Sequence, residues 1–100
     1  MSTFEIRRNA GDDIELVGRL DTSHADTAER FLAGVETSCV MDLSRLDFIS
    51  SSGLGVLLIT QKRLAASGAS LKLVRLNERM RHVFRYSGFD KVFDIEDGES

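Results

Sequence analysis

Hydrophobic and polar residues alternate over Phe4-Glu-Ile-Arg-Arg8 and again over Ile14-Glu-Leu-Val-Gly-Arg-Leu20, the period of a strand with one face buried. Between them, Asn9-Ala-Gly-Asp-Asp13 has the residue types of a tight connection, which predicts a β-hairpin. The period then changes. From Ser23 to Glu36 apolar residues fall at Ala25, Ala28, Phe31, Leu32 and Val35, three and four apart, as on an amphipathic helix. Asp21, Thr22 and Ser23 are three successive candidate N-caps for it.

Val40-Met-Asp-Leu43 reads as a short strand. The segment from Ser52 to Ser67 reads as a helix whose first half, apolar almost all round, must be deeply buried. Gly68 stands where a left-handed residue would end it. Leu71-Lys-Leu-Val74 is a further strand, Asn77 caps a helix carrying Met80, Val83 and Phe84, and Gly88 closes that helix. Val92-Phe-Asp-Ile95 reads as the last strand, and Gly98 argues against a short helix after it.

The order β-β-α-β-α-β-α-β predicts an α/β fold: a mixed, mostly parallel sheet of about five strands with three to four helices and right-handed crossovers. Ile14, Leu16, Val40, Leu43, Leu73 and Val92 are the expected buried sheet positions. Phe31, Leu32, Leu57, Leu58, Leu64 and Phe84 are expected to pack over them.

Length and charge narrow the function. One hundred residues fit a single domain, 1–100. Apolar residues at 42% and charged residues at 29% are globular proportions. Thirteen Lys and Arg against sixteen Asp and Glu leave a net charge of −3, which argues against nucleic acid or an anionic membrane as the partner. The longest apolar stretch, Leu54 to Ile59, is far short of the roughly 20 residues of a membrane span. No apolar segment follows a basic one at the N-terminus. One cysteine, Cys39, permits no intramolecular disulfide. A cytoplasmic location is the expectation.

The chemistry concentrates in Met41 to Val56. Ser50, Ser51 and Ser52 sit where an extended Phe48-Ile49 segment meets a helix. Serine is a preferred N-cap, but capping needs one hydroxyl and leaves at least one of three without that duty. A helix N-terminus also presents unbonded N–H groups that suit a phosphate. Other chemistries fit poorly. Gly53-Leu-Gly55 could open a dinucleotide fingerprint, but Leu58 stands at the third glycine, and a lysine-bearing P-loop is absent. None of the serines sits in Gly-x-Ser-x-Gly; a Ser51 or Ser52 nucleophile with His24 as base is the enzymatic rival. His24, His82 and Cys39 make a poor zinc set, so neither metal nor cofactor is expected. His24 and His82 are read as surface residues and Cys39 as a small buried one. Arg75, Arg79, Arg81 and Arg85 are read as a solvated helix face.

Asp42-Leu-Ser44 followed by Phe48-Ile49-Ser-Ser-Ser-Gly-Leu-Gly55 resembles the signature of STAS domains, specifically of bacterial anti-sigma factor antagonists. Gly18-Arg-Leu-Asp21 resembles the turn after the family's second strand. Val83-Phe84 with Gly88-Phe-Asp-Lys-Val-Phe93 and Ile95 resembles its last helix and strand, so the resemblance spans essentially the whole chain. It implies a non-enzymatic partner switch. An unphosphorylated antagonist binds an anti-sigma factor that is also a serine kinase, is phosphorylated by it, and is restored by a metal-dependent serine phosphatase. Residue by residue, the family's Asp-Ser-Ser-Gly falls on Ser50-Ser51-Ser52-Gly53, which makes Ser51 the implied acceptor, with Ser52 and Ser50 as alternatives. Independently of the resemblance, ligand sites in such sheets gather beyond the carboxyl ends of parallel strands, so the Gly18–Ser23 and Ser50–Leu54 turns are expected to meet in a partner surface of Asp21, Thr22, Ser23, Ser50, Ser51, Ser52, Gly53 and Leu54. Ser50 stands where the family carries Asp, and that departure favours the alternative of a STAS scaffolding subunit, never phosphorylated, in a transport or stress-sensing complex.

Overall fold

Strand order in the sheet follows chain order, β1-β2-β3-β4-β5, in a computed structural model that describes residues 3–96. The elements are β1 (Phe4–Arg8), β2 (Ile14–Leu20), α1 (Ala25–Ala33), β3 (Cys39–Ile49), α2 (Ser51–Ala66), β4 (Leu71–Val74), α3 (Glu78–Ser87) and β5 (Asp94–Glu96). Single 3-10 turns occupy Thr22–His24 and Phe89–Lys91. β1 is antiparallel to β2 and the remaining pairs are parallel, so the expected mixed sheet is present. Residues 97–100, the place of any short terminal helix around Gly98, lie outside the described residues.

One face of the sheet carries the core. Ile14, Leu16, Met41, Leu43, Leu71 and Leu73 are buried there, under Leu32 of α1, Leu57 and Leu64 of α2, and Met80 and Phe84 of α3. Phe31 and Leu58 pack against this core from partly buried positions. The opposite face is polar: Arg7 pairs with Glu5 at 2.6 Å and with Glu15 at 3.3 Å.

Several expectations need correction. β3 is eleven residues long, not the four of Val40–Leu43. Its pairing with β2 slips twice, between Glu15 and Val17 and between Gly18 and Arg19. Each slip gives β3 an extra residue, so Leu43, Leu46 and Ile49 are all buried at a spacing of three, a pattern that simple alternation conceals. Gly18 lies at this irregularity with φ +94°, and a Cβ there would sit 2.3 Å from the Thr3 carbonyl oxygen.

Val92 is 44% exposed rather than buried, and Phe93 takes the interior place, its ring 5.6 Å from Phe84 and 6.1 Å from Phe89. The Phe89–Lys91 turn delays β5 to Asp94, and the Val92 carbonyl accepts a 2.6 Å bond from Gln61 Nε2. Val40 is only half-buried, because it alternates with the core residue Met41 and points to the polar face. α1 is shorter than Ser23–Glu36, and Asp21, Thr22 and Ser23 do not cap it: His24 holds the N-cap position without a side-chain bond. At its other end Arg63 donates to the carbonyls of Leu32 at 2.7 Å and Val35 at 3.0 Å, the first of which also accepts the Val35 N–H at 3.0 Å.

Candidate functional site

The last paired residues of β2 and β3 are Leu20 and Ile49, and both chains turn immediately beyond them. β2 runs into Asp21–His24 and β3 into Ser50–Gly53, so the two segments that sequence reasoning singled out lie side by side. The Ser50 N–H donates to the Leu20 carbonyl at 2.9 Å, stitching one turn to the other strand.

The three serines have different duties. Ser50 is the N-cap of α2: its backbone is extended and its Oγ accepts the Gly53 N–H at 3.1 Å. Ser52 Oγ lies 3.4 Å from Thr22 Oγ1, a hydroxyl pair bridging the two turns. Ser51 is exposed, the first residue of α2, and its hydroxyl has no partner among the described residues. The N–H groups of Ser51 and Ser52 fall in the first turn, where no intrahelical carbonyl reaches them. Gly53 is buried, and a Cβ added there would meet Leu20 Cγ at 2.8 Å, Ile49 Cγ1 at 2.9 Å and the Leu20 carbonyl oxygen at 2.9 Å. Its contribution is therefore to let the turn close against the strands.

On the adjoining turn, the Ser23 hydroxyl donates to Asp21 Oδ1 at 2.8 Å, and His24 Nδ1 lies 2.8 Å from the same oxygen. The Ser23 bond holds the Asp21 carboxyl below its ordinary pKa, with burial opposing and His24 assisting, so the side chain is an anion at neutral pH. His24 is less of a surface residue than expected: it is partly buried and its ring stacks 5.6 Å from Phe4. Thr22, Ser23, Ser51 and Ser52 are exposed, whereas Asp21, Ser50 and Leu54 are half-buried.

Sequence reasoning missed the neighbours of this turn on the other sheet face. Arg19 and Phe48 pair across the strands, and the guanidinium lies 4.3 Å from the ring centroid of Phe48, which is 37% exposed. An exposed aromatic in the residue pair before the serines was the available signal. It also misjudged Arg75. Rather than belonging to a solvated helix face, Arg75 precedes α3 in a left-handed conformation, φ +55°. There Nε donates to Asp42 Oδ2 at 2.8 Å and Nη2 to Asp13 Oδ2 at 2.9 Å. Asp42 Oδ1 accepts the Ser44 N–H at 2.8 Å. Burial raises the Asp42 pKa, but Arg75 and Ser44 outweigh it and hold the carboxyl below its ordinary value. The aspartate of Asp42-Leu-Ser44 is thus a strut between strands, remote from the serine turn.

Among the described residues no group of His, Cys, Asp and Glu could hold a metal ion, and no helix is long and apolar enough to cross a membrane. Comparison with known proteins agrees with the fold. BtrV of Bordetella bronchiseptica, which carries the name of an anti-sigma factor antagonist, is 38% identical over 84 residues, 80% of this chain and 72% of that protein. The anti-sigma-B factor antagonist of Bacillus subtilis is 30% identical over 98 residues, 91% of this chain and 87% of that one. The crystal structure of an anti-sigma factor antagonist from Mycobacterium paratuberculosis superposes with a TM-score of 0.78 at 23% identity, covering 99% of this chain and 88% of that one. A model of the STAS domain matches residues 4–100, and with that match the chain belongs to the STAS domain family.

Proposed function

We propose that this protein is an anti-sigma factor antagonist that works by partner switching. It is a binding protein and not an enzyme: unphosphorylated, it binds an anti-sigma factor, and the sigma factor held by that partner is released in the cytoplasm. The partner is also a serine kinase, which phosphorylates Ser51 and ends the complex; a metal-dependent serine phosphatase restores the binding form. The observation that carries the assignment to Ser51 is the division of duties in the triplet. Ser50 Oγ accepts from Gly53 and Ser52 Oγ faces Thr22, while Ser51 Oγ is exposed and unbonded. Serine at position 50 keeps the capping role that aspartate would have, since both are strong N-caps; what it gives up is a charge.

The mechanism is local. A phosphate on Ser51 brings about −1.5 to −2 charges to the positive end of α2, where the interaction is favourable by roughly 0.3–1 kcal/mol. The fold survives it. The cost falls on the complex, in which a doubly charged group would have to be desolvated against a surface shaped for a hydroxyl. Binding to the anti-sigma factor is expected to weaken at least tenfold, about 1.4 kcal/mol. Calorimetric titration of the anti-sigma factor with unmodified, phosphorylated and Ser51→Ala protein tests this. The alanine variant should bind like the unmodified protein and resist the kinase. Equal affinities for the two phosphorylation states would refute the switch and favour the scaffolding alternative.

A further inference from the structure

β1 forms one edge of the sheet, and the bonding phase of its hairpin fixes which backbone groups it leaves free. The Arg19 N–H donates to the Thr3 carbonyl at 3.0 Å, and the Asn9 N–H to the Asp13 carbonyl at 2.8 Å. These two pairs extend, by one residue at each end, the register in which Phe4 lies opposite Gly18 and Arg8 opposite Ile14. Bonded and non-bonded pairs alternate along an antiparallel ladder. Thr3, Glu5, Arg7 and Asn9 therefore turn their N–H and C=O groups toward β2, and Phe4, Ile6 and Arg8 turn theirs outward. Among the described residues, neither a side chain nor a further strand bonds those outward groups. No proline and no register slip blunts this edge, although both are common protections of edge strands.

Charged side chains usually keep such an edge apart from its copies, but here they favour the pairing. β1 reads Phe4-Glu-Ile-Arg-Arg8. Laid antiparallel against itself about Ile6, it sets Glu5 of each copy opposite Arg7 of the other, Ile6 opposite Ile6 and Phe4 opposite Arg8. That register brings all three outward-facing residues into bonded pairs. Sliding it by two residues, the smallest step that keeps the bonding phase, sets Glu5 against Glu5 in one direction and Arg7 against Arg7 in the other. Like charges directly opposite are unfavourable, so one register stands out. Glu5 and Arg7, 2.6 Å apart in one chain, are exposed and half-buried on the polar face, and the second copy's pair joins them there. The far edge lacks this complementarity: β5 carries Asp94 and Glu96 on either side of Ile95, and the same pairing would set carboxylate against carboxylate. We infer that β1 pairs with β1 of a second copy of this chain, antiparallel about Ile6, and joins two sheets into one. A five-residue edge makes a small interface, and small interfaces are transient, so the dimer dissociates on dilution. β2 of one copy then runs antiparallel to β2 of the other. The two serine turns leave the sheet at opposite ends, and the dimer is independent of the partner switch.

Sedimentation equilibrium of the full chain over a range of concentrations tests the pairing. The apparent mass should rise from the 11.1 kDa of one chain toward twice that value. Glu5→Lys and Arg7→Glu should each weaken self-association about tenfold, because each sets like charges face to face. Mixed in equal amounts, the two variants should associate with each other as the parent does with itself, since the two cations of one then face the two anions of the other. Ile6→Pro removes the central outward N–H and leaves the bonds to β2 in place, as proline on the free side of an edge strand does, and should abolish the dimer. Circular dichroism melts establish that each variant is folded; should Arg7→Glu fail there, beside Glu15, then Glu5→Lys and Ile6→Pro decide. A parent chain that stays at the mass of one copy, single variants that associate like the parent, a mixture of folded variants that stays monomeric, or an Ile6→Pro chain that still dimerises would each overturn the pairing.

Discussion

Two glycines two residues apart in α2 have opposite roles, and exchanging each for alanine measures the closeness of the serine turn to the strands. At Gly53 the new Cβ would lie 2.8–2.9 Å from Leu20 Cγ, Ile49 Cγ1 and the Leu20 carbonyl oxygen. A side chain can rotate away, but the carbonyl belongs to the strand end that also accepts the Ser50 N–H, so relief requires α2 to move. Overpacking of this kind costs about 1–3 kcal/mol. Against it stands the helix preference of alanine over glycine, up to about 1 kcal/mol and smaller in a first turn. The net expectation for Gly53→Ala is a loss of about 1–2 kcal/mol, or about 4–8 °C in Tm per kcal/mol for a chain of this size. At Gly55 nothing lies within 4 Å of the added Cβ, so Gly55→Ala collects the propensity gain alone and stabilises by about 0.5–1 kcal/mol. Urea denaturation of both variants, with the slope against denaturant unchanged, gives the two numbers directly. A Gly53→Ala protein as stable as the parent would refute the close approach and with it the reason for glycine at that position.

The remaining expectations concern the frame around the switch. Leu57→Ala removes a fully buried side chain and should cost about 2–5 kcal/mol by thermal or urea melts; a loss below about 0.5 kcal/mol would place Leu57 at the surface. Asp42→Asn should cost about 1–2 kcal/mol at neutral pH, toward the low side for a buried pair because the Arg75 side chain is 56% exposed. The folded pKa of Asp42 is depressed, so its contribution is full above the unfolded value of about 3.9 and fades as pH falls through the folded one. The gap between the two proteins in urea midpoint should therefore close below about pH 4, and a constant gap down to pH 2 would show that the charge is not what Asp42 supplies. Arg63→Ala should cost about 1 kcal/mol by releasing the Leu32 and Val35 carbonyls, and Arg63→Lys should restore only part of it, since one ammonium lacks the fork that reaches both.

The periodicities of the chain gave away β1, β2, β4, α3 and most of α2, because their apolar residues recur at the spacing of the element and the two helices are closed by glycines with positive φ, Gly68 and Gly88. β3 was half hidden. Its two register slips place Leu43, Leu46 and Ile49 on the core at a spacing of three, and Ser44, Arg45 and Asp47 between them look like loop. The Asp21–His24 segment misled for another reason: its side chains bond one another where three caps were available. The adjacency of the two turns was legible, because parallel strands deliver their following loops to one end of the sheet. Which serine is left unbonded was not, since that depends on the Thr22 hydroxyl thirty residues away. Nor was the role of Arg75, whose partners Asp13 and Asp42 are brought to it by strand pairing alone.

β3 outruns β4: their pairing ends at Asp42 and Val74, while β3 continues to Ile49. Its free margin is a row of carbonyls on which another chain could add a strand, the liability that leads exposed strands into aggregates. Asn77 guards it. While its Oδ1 caps α3 at the Met80 N–H, 2.8 Å away, its Nδ2 donates to the Ser44 and Leu46 carbonyls at 3.2 and 2.9 Å, and Arg79 reaches the Asp47 carbonyl at 3.4 Å. One amide side chain thus starts a helix and blunts a strand. The same projection that carries the serines clear of the sheet would, without Asn77, offer the chain to copies of itself.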